Sequence, residues 1–223
     1  MAGGAVHPTH NMNACIHRAL RRDLERLDRV TAAPVPDGQR AAIGRHVPWM
    51  LDYLHHHHVG EDEGVWPRTL ARRPDLQQLV DTMSAEHATL AAAADGLRVA
   101  TAAWSLDGSE ERRGAMADAV GRMRDATLPH LEHEERDAMP LVVEALEPED
   151  WTYLSRNHFR KGLTFSDTGR AIMWVLDDLD PEYAAVVREE VPGPALWVLT
   201  RLFGARYDRE AAAAWGAMAG TRA

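Results

Sequence analysis

One cysteine, one lysine and few aromatic residues set the first limits on this 223-residue chain. With Cys15 alone, no internal disulfide can form, and a reducing interior is the natural setting. Lys161 is the sole lysine among 25 basic residues, against 34 acidic ones, for a formal net charge of −9. No basic stripe interrupts that acidic balance, so neither nucleic acid nor an anionic membrane surface is an expected partner. No apolar run approaches a membrane span, and Met-Ala-Gly-Gly-Ala-Val-His-Pro at the start lacks a charged region followed by an apolar one. The expectation is a soluble, cytoplasmic protein. Strand-type alternation of Val, Ile and Thr is missing almost everywhere while alanine is abundant, which favours an all-α chain. Several enzyme motifs are missing as well. There is no Glu-x-x-His of the ferritin-type di-iron signature, no His-Glu-x-x-His, no Gly-x-x-x-x-Gly-Lys and no Gly-x-Ser-x-Gly.

What the chain has is histidine, twelve in all, and a pattern written twice. His57 and Glu61 are four apart, and so are His130 and Glu134, a separation that puts both side chains on one face of a helix. The frame is longer than the pair: His, three residues, Glu, an acid, three residues, a large apolar residue, Pro. It fits His57–Pro67 and again His130–Pro140. Two imidazole–carboxylate pairs in matched frames are what a two-metal site between facing helices requires.

The spacing predicts four helices. The first covers about residues 10–31, with Asn13, His17, Leu20, Leu24 and Leu27 as its inward seam and Arg21, Arg22, Glu25 and Arg26 mostly outside it. The second runs from near Gln39 to Pro67–Leu70, broken or kinked by Pro48 and weakened by Gly60 and Gly64. The third, after Pro74-Asp75, reaches about Ala103 with Leu79 or Val80, Met83, His87, Leu90, Ala94 and Leu97 inward. The fourth spans about 110–146 behind a Ser109 cap, kinked at Pro129. Short connections make an up-down-up-down four-helix bundle the economical arrangement. Residues 1–146 are thus expected to form the bundle and carry the site. Residues 147–223 are expected to form an additional C-terminal segment of three shorter helices packed on it, with Pro192-Gly-Pro194 as a firm break.

Each bundle helix carries a histidine on its seam: His17, His57, His87 and His130. Any one of them alone reads more simply as a partly exposed side chain. Burying ionised Glu61 and Glu134 on apolar seams, however, costs several kcal/mol each without compensation, and cations supply that compensation. Four imidazoles and two carboxylates suit iron, manganese or zinc, and the lack of thiolates argues against structural zinc. His55 to His58 sweep about 300° of a helix and cannot all face inward. His58, paired with Asp62 four residues on, is a competing register placed behind His57. His133, His10 and Tyr53 are further candidates for the site, while His46 and His158 read as surface.

The residues around these positions resemble the hemerythrin-like proteins of the HHE cation-binding type. The likeness rests on His17 in Ile-His-Arg-Ala-Leu-Arg-Arg-Asp-Leu, on His57-His-Val-Gly-Glu61-Asp, on Glu86-His87 and on His130-Leu-Glu-His-Glu134-Glu, over roughly residues 10–146. It implies a four-helix bundle around a non-haem di-iron centre: two iron ions with His17, His57, Glu61, His87, His130 and Glu134 as ligands and the two glutamates as bridges. It also implies O₂, peroxide or nitric oxide as the small ligand, handled by turnover (a catalase-like peroxide disproportionation, for instance) or by sensing or storage through the C-terminal helices. Homo-oligomers are compatible with it. One departure stands out: oxygen carriers of this type have a His-x-x-x-His pair on the third helix, and here His87 has only Met83 and Ala91 one turn away. With four imidazoles, two positions on the metals stay open unless His133, His58 or His10 supplies a fifth.

Overall fold

The computed structural model describes residues 8–220, with side chains from Met12 onward, and every regular element in that range is helical. Helix α1 spans Pro8–Thr31, α2 Asp37–Gly60, α3 Trp66–Arg72, α4 Gln77–Leu106, α5 Glu110–His133 and α6 Met139–Ala145. The C-terminal part adds α7 Pro148–Leu154, α8 Phe165–Leu176, α9 Pro181–Glu190 and α10 Gly193–Trp215. The all-α expectation holds, and α1, α2, α4 and α5 form the bundle, α4 packing on α2 and α5 and α1 on α5. The seam expected on α1 is the buried one: Asn13, His17, Leu20, Leu24 and Leu27 all lie in the interior. The Ser109 cap also holds, its hydroxyl accepting from the Arg112 amide.

Prolines act differently from the expectation. Pro48 and Pro129 lie inside α2 and α5, and neither helix ends there. The helices instead open further on, at Glu61–Val65 and Glu134–Ala138, into one wide turn each, with Trp66 N–H donating to Glu61 O and Met139 N–H to Glu134 O. Such i→i+5 turns cluster at functional sites. Both sit six residues ahead of a proline, Pro67 or Pro140, which has no N–H to continue the regular pattern. Since Pro48 and Pro129 cause no such turn, proline alone does not set it; the acid pairs that begin each turn, described below, are the second shared feature.

The C-terminal segment holds four helices rather than three, the last of them 23 residues long, with the break at Pro192 where expected. It does not simply lean on the bundle. Helices α8 and α9 pack on α1, and α10 packs on α2 and α8. Trp174 and Trp215 join Leu24, Val47 and Met50 in one apolar cluster, while Trp151 and Leu154 join Val65, Met83 and Met139 in a second. Gly60 and Gly64 make the close approach possible: a Cβ on Gly60 would come within 2.7 Å of the Phe159 ring, and one on Gly64 within 2.8 Å of Leu154. These glycines also serve packing, at the place where α2 opens into its wide turn.

Between bundle and C-terminal helices lies a buried polar network that corrects two surface assignments. Asp23, fully buried, accepts from Trp174 Nε1 at 2.7 Å and from Arg22 Nε at 2.9 Å, and lies 2.6 Å from His46 Nε2. Arg26, 4% exposed, donates to Asp177 at 2.6 Å, and the Tyr207 hydroxyl donates to the same carboxylate at 3.0 Å. His46 and Arg26 are therefore interior residues, held by acids that reach them only in the folded chain. Burial opposes ionisation of Asp23, but Arg22, His46 and Trp174 outweigh it and hold the carboxyl well below the usual carboxylate range.

Candidate metal centre

His17 on α1, His57 and His58 on α2, His87 on α4 and His130 on α5 all point into the bundle between the two apolar clusters, none more than 6% exposed. Glu61 and Glu134, the first residues of the two wide turns, are 2% and 0% exposed. His17 Nε2 lies 3.4 Å and His130 Nε2 3.6 Å from Glu134 Oε2. His57 Nε2 lies 3.2 Å from Glu61 Oε1, and His87 Nε2 3.6 Å from Glu61 Oε2. The geometry has two halves. His58, His87 and His130 bring ligand atoms within 4.8 Å of one another, and the His58 and His87 rings stack at 4.1 Å. The rings of His17 and His57 meet edge-on at 5.5 Å. Each glutamate reaches one histidine of each half.

All six residues picked from the sequence are thus brought together. His58 joins them, although the regular-helix argument set it behind His57. Its Nε2 faces the same space, because the interior presents two halves and consecutive residues of α2 serve one each. His133 is turned away and half-buried, its Nδ1 2.8 Å from Glu86 Oε1. Tyr53 lines the same cavity as His57. The His10 side chain lies outside the described residues.

The Nε2 atoms of His17, His57, His58, His87 and His130, with Glu61 Oε2 and Glu134 Oε2, are buried and have no hydrogen-bond partner among the described residues. Each such orphan costs about 1–3 kcal/mol, so seven converging ones identify a position meant for something that binds lone pairs. The opposite ring edge is satisfied in three of the five: His17 Nδ1 by Glu135 at 2.9 Å, His87 Nδ1 by Asp62 at 3.0 Å and His130 Nδ1 by Glu86 at 2.9 Å. A carboxylate on Nδ1 fixes the tautomer with the proton there and leaves the Nε2 lone pair free, the arrangement metal-binding histidines use. Here the repeated frame explains itself. The acid following each glutamate, Asp62 or Glu135, orients a histidine on a neighbouring helix. A wide turn narrows the angle between consecutive residues, so that Glu61 and Asp62, and likewise Glu134 and Glu135, both serve the site.

Electrostatics agree with a site that takes cations. Burial, followed by the neighbouring His17, pushes His57 down to about 3, and burial likewise lowers His58 and His130. These rings are neutral at pH 7, with lone pairs available. Burial and the adjacent Glu134 raise Glu61 well above the carboxylate range, whereas Glu134, despite its own burial, is lowered by His17, His57 and His130. Burial works against the Glu135 charge too, but the hydrogen bonds from His17 and Arg21 prevail and bring it down to about 2. A metal-free chain therefore responds to acid. Between pH 7 and 5 the unfolded chain protonates His57 and His58, whose folded counterparts are pushed far down, and His130 is shifted in the same sense, while the raised Glu61 and Glu190 work in the opposite one. Each lowered imidazole contributes stability that is present above the ordinary histidine range and lost as pH drops through it, and the two raised carboxyls offset part of that loss. Urea midpoints of chelator-treated protein should fall from pH 7 to 5; a flat profile would contradict the neutral assignment.

A helical bundle that gathers five imidazoles and two carboxylates around converging lone pairs defines a metal-binding protein. The Hemerythrin HHE cation binding domain model matches residues 15–142, more than half of the chain and the whole stretch from His17 to Glu134. The chain belongs to that family. No curated protein and no solved structure matches it. No described helix is long and apolar enough to cross a membrane.

Proposed function

We propose that the site is a di-iron centre that binds or reacts with O₂, peroxide or nitric oxide. The carrying observation is the division into two halves, His58, His87 and His130 on one side and His17 and His57 on the other, with Glu61 and Glu134 each facing a histidine of both; such a set would hold two metal ions. Seven ligands of nitrogen and oxygen without thiolate suit iron. When bound, the irons supply electron exchange with the small molecule at an open position. The chain does the rest. Asp62, Glu86 and Glu135 hold three imidazoles at fixed tautomer and angle, and Asn13 Nδ2 donates to Glu134 Oε1 at 2.8 Å, steadying that carboxylate. The apolar clusters limit water on the sides they cover. His58 would supply the fifth imidazole that the third helix lacks.

His58→Ala and His133→Ala separate the two candidates for that ligand. The first should lower iron from about two to one or fewer per chain, and the second should retain both, since His133 meets Glu86 rather than the interior. The reverse result would exchange their roles. A sensor without turnover is a second reading, favoured by the Phe159 ring lying 6.0 Å from His57, where a C-terminal residue meets the site directly. Steady oxygen release from added peroxide supports turnover; a single stoichiometric oxidation without release supports the sensor.

A further inference from the structure

Alongside the metal centre, between α1, α2 and the C-terminal helices, lies a cavity of about 830 Å³ that reaches His57 and Glu61 at its inner end. A diatomic gas needs no such room. A water molecule takes about 30 Å³ of liquid, whereas sites for small organic molecules span roughly 300–1,000 Å³. The walls are mainly apolar, with Ile16, Phe159, Ile172, Val175 and Leu199 prominent. We propose that this cavity binds a neutral, mainly apolar organic molecule carrying a hydroxyl group, a long-chain alcohol or a phenol, with one end beside His57 and Glu61. That end's nearness to bound metal rests on the proposed di-iron reading; the pocket itself does not.

Two observations fix the class. Away from the metal end the lining holds one carboxyl, Glu190, and one exposed guanidinium, Arg160, so no single sign of charge is offered to an ionic ligand. Burial, then Glu189, raises Glu190 to about 7, as a wall of low polarity requires. Among the described residues, two lining atoms away from the histidines lack partners and can accept: Asn13 Oδ1, on a side chain 7% exposed, and Glu190 Oε1 in its ionised form. They call for a ligand that donates, and a hydroxyl does so without bringing a charge into the apolar wall. The C-terminal helices, without any motif of their own, thereby acquire a role: they turn one side of the site into a pocket with a mouth near Ala195 and Val198, both of which are exposed lining residues.

The test uses the full-length chain, metal-free and iron-loaded, titrated with the neutral fluorophore N-phenyl-1-naphthylamine. Saturable binding at one site is expected in both forms, with displacement by dodecan-1-ol about tenfold better than by dodecanoate or dodecylamine. Ala195→Trp and Thr168→Trp fill the pocket from its outer wall. Each should weaken the probe about tenfold or more while leaving the thermal midpoint and iron content unchanged. In the loaded protein, dodecan-1-ol should shift the visible spectrum. Absence of saturable binding, indifference to both substitutions, or equal competition by the charged homologues would overturn the proposal. Probe binding by a chain that takes up no iron would overturn the di-iron reading and leave the pocket standing. Iron uptake without probe binding would do the opposite.

Discussion

Glu134→Gln empties the metal site while leaving the helices in place. Glu134 is fully buried, faces His17 and His130 from the two halves of the centre, and has an unpartnered Oε2 between them. Glutamine keeps the volume and the helix but offers a neutral amide where the proposed centre would use a carboxylate facing both halves. Loss of an outer carboxylate that merely orients a ligand costs about 10–100-fold in metal affinity; loss of a group that serves both halves should exceed that, and stoichiometric iron binding should vanish. The metal-free variant should keep its helical circular dichroism, because the charge removed is one that raised Glu61. Elemental analysis beside a dichroism spectrum decides the matter: full iron content in a folded variant would remove Glu134 from the ligand set.

The second large effect concerns stability. Asp23→Ala should lower it by about 3–5 kcal/mol, the cost of leaving buried charges without their partner. The carboxylate answers Trp174, Arg22 and His46 at once, and Arg26 beside it is nearly inaccessible to water. Because Trp174 belongs to α8, the loss should also loosen the C-terminal helices from α1. Urea unfolding of the iron-loaded protein measures it, with tryptophan fluorescence reporting on Trp174. A change under about 1 kcal/mol would mean that the network is replaceable by water and does not anchor the segment.

These two residues mark the limits of what could be read from the chain. Glu134 was legible because its partner His130 stands four residues away on one helix, and because the same frame recurs at His57 and Glu61. Periodicity gives such pairs directly. Asp23 gave no signal: its partners lie 23 residues on at His46 and 151 residues on at Trp174, and only packing joins them. The same holds for Glu86, which sits beside His87 in sequence yet serves His130 and His133 on another helix. Asp62 and Glu135 were half legible, since the repeated frame contains an acid at that position but periodicity assigns it no task. His58 was legible only as a competing register behind His57, since a regular helix sends it about 100° away, whereas the interior is wide enough to use both. The C-terminal cavity arises from four helices without a shared pattern, so nothing short of the folded chain outlines it.

Metal content of the full-length protein, purified without nickel and measured beside its visible spectrum, tests the central claim most directly. About two irons per chain, with the absorption of a bridged pair, is the result that five inward imidazoles and two spanning carboxylates predict. One zinc per chain, or no metal after reconstitution with iron, would contradict the di-iron reading and leave the seven buried lone-pair atoms in need of another partner.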